Sequence, residues 1–303
     1  MKKFFAQKEI EFLKNNYPSK GIEFCLNYLK RSKWSLYHFC NRHDIKYTNE
    51  YRKFNHKESG KKQSITKSKI KTIHNVDETK FIKIKTPESA YLLGLIWSDG
   101  NIYMKKATNT ISVSCLLDDM LNIESMFNKT GKWNKYVINQ KGRRPQLKMT
   151  TNNKELCKFL LENDYHSKSE SSADKILSII PNNLKHYWFR GLIDGDGCFY
   201  FHNNHKEITI ASSYNQNWNY ILELCNKLNV ECKIKKTIQI QNNHENRSSV
   251  IRIRKFNSIK KFGDYIYKNI ENDKIGFNRK YEKFKQICIL FGNNQKPNDA
   301  LHA

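Results

Sequence analysis

The chain is 303 residues long, enough for two or three domains, and its 54 Lys and Arg against 29 Asp and Glu leave a formal charge of +25. A field of that sign favours a polyanionic partner, either nucleic acid or an anionic membrane surface. Aromatic residues at 13% exclude a disordered basic tail, and no apolar run approaches the ~20 residues of a membrane span or the core of a signal peptide. A soluble intracellular protein with no membrane partner is expected. The eight cysteines, with no CxxC pair, suit a reducing compartment. Cys40 and His43 resemble half a zinc site, but no partner pair follows at zinc-finger spacing.

Residues 1–48 are expected to form a small three-helix domain. A first helix spans Gln7 to Asn15, with Ile10 and Leu13 on one face, and Pro18 is expected to break it. Ser19 or Lys20 opens a second helix carrying Phe24, Cys25 and Leu29. Ser32 is the candidate N-cap of a third, which carries Leu36, Tyr37, Phe39 and Cys40. The arrangement is compatible with a helix-turn-helix whose last helix offers Lys33, Ser35, His38, Asn41 and Arg42 to DNA. Residues 49–85 are expected to be a basic linker: from 52 to 85 the chain holds 11 Lys/Arg and 3 Asp/Glu.

A pseudo-repeat follows. Thr86-Pro87-Glu88 supplies an N-cap, a proline at the first helical position and an acid in the first turn. The helix runs to about Asp99, strands lie near 101–106 and 110–115, and a helix covers 117–128. A hairpin spans 133–150 around Lys141-Gly142-Arg143, and a helix occupies 153–163. The second copy repeats this order from about Asn183: helix to Asp196, strands near 198–203 and 207–212, helix 216–228, hairpin 232–254 and helix 257–269. A last helix lies near 277–290. Both copies read αββαββα, over residues 86–180 and 181–303. In the second hairpin Ile234, Ile238 and Ile240 alternate with Lys235, Thr237, Gln239 and Gln241, and Ile251 and Ile253 with Arg252 and Arg254. Period two with one apolar face predicts a half-buried antiparallel sheet, whose polar face suits phosphates and base edges.

Each repeat opens on the same pattern: LLGLIWSDG at 92–100 and FRGLIDGDG at 189–197. Gly94 and Ser98, like Gly191 and Gly195, are four apart, so each helix presents small residues on one face for close backbone approach. Asp99 and Asp196 then end their helices, where the helix dipole is already negative. Two carboxylates brought together there also repel each other, and a divalent cation offsets both penalties. One Asp-Gly at a helix end is ordinary turn chemistry. Two at equivalent places, each before a strand, point to a duplicated site. Trp97 and Asp194 occupy equivalent positions and differ, so Asp194 is expected to give packing or polar support.

These segments resemble the LAGLIDADG motif of homing endonucleases in the single-chain, two-motif form, and the resemblance covers residues 86 to about 290. It implies an α+β fold of two pseudo-symmetric αββαββα half-domains forming a DNA-binding saddle. It also implies cleavage of both strands of duplex DNA with a divalent metal, Mg²⁺. By position Asp99 and Asp196 match the family's catalytic and metal-binding acids, and Ser98 and Gly195 could add backbone carbonyls to the metal. Lys148, Lys154, Lys235, Thr237, Gln239, Gln241, Arg252, Arg254 and Lys255 are the candidate DNA contacts of the saddle, as Lys33 and Arg42 are of the N-terminal domain. The pair His202 and His205 has too tight a spacing for a His-Asn-His nuclease and reads as a hairpin turn. Tyr200 and Trp218 are assigned to the core or saddle edge.

The resulting expectation is a monomeric site-specific endonuclease in the cytoplasm, associated with the nucleoid and compatible with a phage gene in a bacterial host. The alternatives are a catalytically silent DNA-binding regulator and a group I intron maturase with intron RNA as partner. The Met1 start and the Asp-Ala-Leu-His-Ala end favour a free-standing enzyme over an intein remnant.

Overall fold

The computed structural model describes residues 5–55, 58, 76–104, 109–203, 205–241 and 244–292. The chain forms two compact units, Met1–Ile73 and His74–Ala303. Most of the basic stretch expected as a linker, 56–75 apart from residue 58, lies outside the described residues. Among the described residues no helix is long and apolar enough to cross a membrane.

The first unit is helical, with α1 at Gln7–Tyr28, α2 at Lys33–Arg42 and α3 at residues 49–55. The expected break at Pro18 is corrected: Pro18 lies inside α1, and the chain breaks at Gly21, where φ is 79°. Glycine is the residue that tolerates this conformation. A methyl group on Gly21 would also meet the Tyr51 hydroxyl at 1.8 Å, so the break is where α3 packs. Ser32 caps α2 as its sequence suggested, its hydroxyl accepting from the Ser35 amide. Leu13, Tyr17, Cys25, Leu36 and Cys40 form the core. Cys40 is thus spent on packing, and His43 is exposed.

The second unit begins before the expected linker ends. Val76 and Phe81 are fully buried, and α4 (Thr79–Ile82) packs on the core beneath the first motif helix. Two halves of the same order follow. The first is α5 (Pro87–Asp99), β1 (Gly100–Met104), β2 (Asn109–Leu116), α6 (Leu117–Lys129), β3 (Asn134–Ile138), β4 (Gln146–Thr151) and α7 (Lys154–Glu162). A short α8 (Asp174–Ile179) connects the halves. The second is α9 (Lys185–Asp196), β5 (Gly197–His202), β6 (His205–Ser213), α10 (Asn219–Lys227), β7 (Lys233–Gln241), β8 (His244–Ile253) and α11 (Phe256–Ile266). A short α12 (Ile270–Asp273) and the long α13 (Asn278–Gly292) close it. The sheets are antiparallel, in order β1-β2-β4-β3 and β5-β6-β8-β7. This is the expected α+β fold of two αββαββα halves.

The register fixes which side chains share a face. Ile251 pairs with Ile234 and Ile253 with Ile208, and Ile208, Ile251 and Ile253 are fully buried. Lys233, Lys235, Thr237 and Gln239 alternate onto the opposite face with Arg252. The expectation of a half-buried hairpin holds on β8, where Ile251 and Ile253 are buried, and fails on β7, where Ile234 is 43%, Ile238 50% and Ile240 80% exposed. The same register accounts for the His202 and His205 pair, which closes the β5–β6 hairpin with Asn203 at φ 51°.

Candidate active site between the motif helices

Helices α5 and α9 cross backbone to backbone. A methyl on Gly94 would fall 1.9 Å from the Trp188 carbonyl oxygen, and one on Gly191 would fall 2.1 Å from that of Tyr91. Only glycine fits at either position. The small residues of the next turn bring the acids in: a methyl on Gly195 would lie 2.0 Å from Ser98 Oγ and 3.2 Å from Asp99 Cγ. The carboxyl of Asp99 therefore faces the last turn of the opposite motif helix.

Both acids are uncomfortable as anions. Burial pushes the Asp99 carboxyl above its ordinary value. Burial and the neighbouring Asp99 push Asp196 up to about 6. Asp99 Oδ2 accepts a weak bond from the Cys115 thiol at 3.7 Å. Among the described residues, no donor is bonded to the Asp196 carboxylate.

Two lysines that the motif does not announce complete the site. The Lys168 ammonium donates to the carbonyls of Ile96 (3.1 Å), Ser98 (2.8 Å) and Gly100 (2.5 Å). The Lys280 ammonium does the same for the other helix, at Ile193 (2.8 Å), Asp194 (2.5 Å), Gly195 (3.3 Å) and Gly197 (2.6 Å). Each cation sits on carbonyls that a helix C-terminus leaves without partners. These lysines thus already offset part of the dipole penalty that the sequence assigned to a metal alone. Burial holds Lys280 below its ordinary value and brings Lys168 down to about 8. A cavity of about 220 Å³ holds Lys168 and Asp196 together with Ser98, Ser212 and Gln216 in its lining. A signal for the pair exists in hindsight. Tyr165-His-Ser-Lys168 follows α7 and Phe277-Asn-Arg-Lys280 opens α13, each with a buried aromatic three residues before the lysine.

Asp194 has the supporting role expected of it. It is buried, accepts from the Tyr91 hydroxyl (2.9 Å) and the Phe277 amide (2.8 Å), and so ties α5 and the α13 approach to α9. Burial raises it to about 6. Its counterpart Trp97 packs against Tyr165, Trp188 and Tyr220.

Residues 183–267 match the family model of the LAGLIDADG-like domain. The matched segment lies within the second half of the fold. It spans α9 through α11, the elements that carry Asp196, both hairpins and their polar face. No curated protein matches the chain. Among solved structures, the LAGLIDADG meganuclease I-AabMI bound to uncleaved DNA is similar at 12% identity, over 69% of this chain and 93% of that one, with a TM-score of 0.44. The homing endonuclease I-WcaI bound to its DNA recognition sequence is similar at 16% identity, over 68% and 89%, with a TM-score of 0.45. Full-length DUF199/WhiA from Thermatoga maritima is similar at 18% identity, over 75% and 69%, with a TM-score of 0.42.

The remaining sequence-predicted residues are scattered around this centre. Lys148 on β4 pairs with Ser114 and Tyr136, on the face opposite the buried Leu147 and Met149. Lys154 is the exposed first residue of α7, beside its N-cap Asn153. Lys235, Thr237 and Gln239 line the polar face of β7, and Gln241 ends that strand. Arg252 and Arg254 both reach Glu207, at 3.1 and 3.2 Å, and this carboxylate is almost fully buried under them. Lys255 pairs with Glu231 and Lys33 with Glu23, while Arg42 is exposed in the last turn of α2. Trp218 is core at 3% exposure and Tyr200 is exposed on the polar face of β5.

Proposed function

We propose that the chain is a metal-dependent, site-specific endonuclease of duplex DNA, acting as a monomer with one cutting centre per motif helix. The observation that carries this reading is the crossing of α5 and α9, which brings the Asp99 and Asp196 carboxylates together, with no donor bonded to Asp196 among the described residues. Two carboxylates raised by desolvation, Asp196 further by Asp99, are a fitting pair of ligands for a hard divalent cation such as Mg²⁺. Asp99 and Asp196 would hold it. The carbonyls of Ser98 and Gly195 each accept from a lysine and keep a second lone pair as a neutral ligand. When bound, the cation lowers the pKa of water and offsets charge on the phosphate.

The chain's own groups supply the rest. Lys168, brought to about 8, is poised to exchange a proton with water near neutral pH. Lys280, more deeply buried, stays a fixed positive charge beside the acids and favours a phosphate there. The polar faces of the sheets bind the duplex. Lys148, Lys235 and Lys255 meet phosphates, and Thr237 and Gln239 read base edges from alternate positions of one strand. Arg252 and Arg254 are held by Glu207 in fixed directions, which lowers the entropy lost when they meet DNA. In the first unit, Lys33 and Arg42 of α2 extend the footprint.

The test is Mg²⁺-dependent cleavage of a randomised duplex library, with wild type beside Asp99→Asn and Asp196→Asn. Discrete double-strand cuts, lost in both variants, establish the two-acid nuclease and reveal its target. Tight salt-sensitive duplex binding without cuts, the same in all three proteins, would leave a regulator. Preference for folded RNA over duplex would leave a splicing cofactor.

A further inference from the structure

The two lysine-bearing segments are docked crosswise. Lys168 lies on the chain leaving the first half, yet that stretch is held by the turn after β6 of the second half. The Ser213 hydroxyl donates to the Ser169 carbonyl, the Gln216 amide to that of Ser171 (2.8 Å), and the Asn217 backbone amide to that of Glu170 (3.1 Å). Gln216 is itself buried, and Ser212 donates to its Oε1 at 2.7 Å. Lys280 lies in the first turn of α13, which closes the second half, yet its neighbour Arg279 grips Asp119 of the first half. Nε of Arg279 lies 2.9 and 2.7 Å from the two oxygens of Asp119, which is 3% exposed. Asp119 and Gln216 occupy equivalent places, each just beyond the second strand of its half.

We propose that Asp119 and Gln216 are positioning residues that set the opposite half's lysine, so each cutting centre is assembled from both halves. The shared cavity of Lys168 and Asp196, and the approach of Asp99 to the α9 turn that Lys280 caps, show the same crossing at the acids. Neither half can then be altered alone: a change in the first half's Asp119 loosens Lys280, and a change in the second half's Gln216 loosens Lys168. The catalytic consequence rests on the nuclease reading; the placement of the lysines does not.

The experiment is acetic anhydride labelling of lysines in the full-length, metal-free protein at one pH, resolved by peptide mass spectrometry. Wild type, Asp119→Asn, Arg279→Lys and Gln216→Glu are compared. Each variant removes or weakens one charged or buried hydrogen bond, so labelling at the loosened lysine should rise about tenfold. Lys280 should respond alone in Asp119→Asn and Arg279→Lys, and Lys168 alone in Gln216→Glu. If Asp119→Asn or Arg279→Lys fails to fold, the other still decides for Lys280, and Gln216→Asn replaces Gln216→Glu for Lys168. Equal rises at both lysines, or none at either, overturn the proposal. On a target recovered from the library, the same variants should accumulate nicked duplex, Asp119→Asn and Gln216→Glu in opposite strands. Wild type that never cuts, with the selective labelling intact, would remove the nuclease reading and leave the crosswise assembly standing.

Discussion

Replacing Gly191 by Ala tests the helix crossing directly. The added methyl would sit 2.1 Å from the Tyr91 carbonyl oxygen and 2.7 Å from the Leu95 amide nitrogen. Ordinary contact needs about 3.4 Å, so the helices must part by more than about 1 Å. Overpacked side chains cost about 1–3 kcal/mol where a neighbour can rotate away. Here the obstacle is the backbone of α5, which cannot, so the upper end applies. The better helix propensity of alanine returns at most about 1 kcal/mol. A net loss of about 2 kcal/mol or more is expected, a large share of the roughly 5–15 kcal/mol that holds a domain folded. Gly142→Ala is the control. Its φ is 77°, but a methyl there meets nothing within 4 Å, so only the left-handed penalty of about 1–2 kcal/mol applies. Urea unfolding followed by near-UV circular dichroism gives both values, and hydrogen exchange locates the loss in α5 and α9. Gly191→Ala no more destabilising than Gly142→Ala would refute the backbone-contact account.

Three other outcomes follow from the site. Lys280→Met should cost about 3 kcal/mol in unfolding free energy, because it strands buried carbonyls at the end of α9. Lys33→Met, which loses an exposed pair with Glu23, should leave the melt unchanged. Asp196→Asn should stabilise the metal-free protein at pH 7.5 by about 1–2 kcal/mol. The sign follows from a folded pKa near 6 against 3.8: the penalty of ionising Asp196 is absent below pH 4 and complete above pH 6. The same variant should lose any stabilisation by Mg²⁺ seen in thermal melts of wild type. An equal Mg²⁺ shift in both would remove Asp196 from the metal site. His186, buried with Nε2 unpartnered, is held down to about 4 by burial. Its neutral form stabilises the fold fully above pH 6.5, and that contribution, at most about 3 kcal/mol, is lost as pH falls toward 4. The stability of His186→Phe should fall less than that of wild type between pH 7 and pH 5; parallel curves would show that His186 does not titrate in the fold.

Local chemistry was enough to place most elements. The Thr86-Pro87-Glu88 start, the Ser32 cap and the period-two ribbon at 233–253 are short-range patterns, and each forms where its own residues dictate. The repeat of Gly-x-x-x-small before Asp99 and Asp196 carried the duplicated half, because close helix approach needs small residues at fixed spacing. What the sequence left open depends on partners far along the chain. Pro18 looks like a break, but the helix continues to Gly21, where Tyr51 of another helix occupies the space a side chain would need. Ile234, Ile238 and Ile240 look like core by alternation, but all three are exposed, because alternation does not say whether a second layer covers the face. Lys168 and Lys280 look like two more of 54 basic residues. Only tertiary structure sets them apart, by folding each onto the open carbonyls of a helix end about 70 to 90 residues earlier in the chain. Periodicity and capping are local and legible in the sequence. Which buried charge meets which helix end is decided by packing.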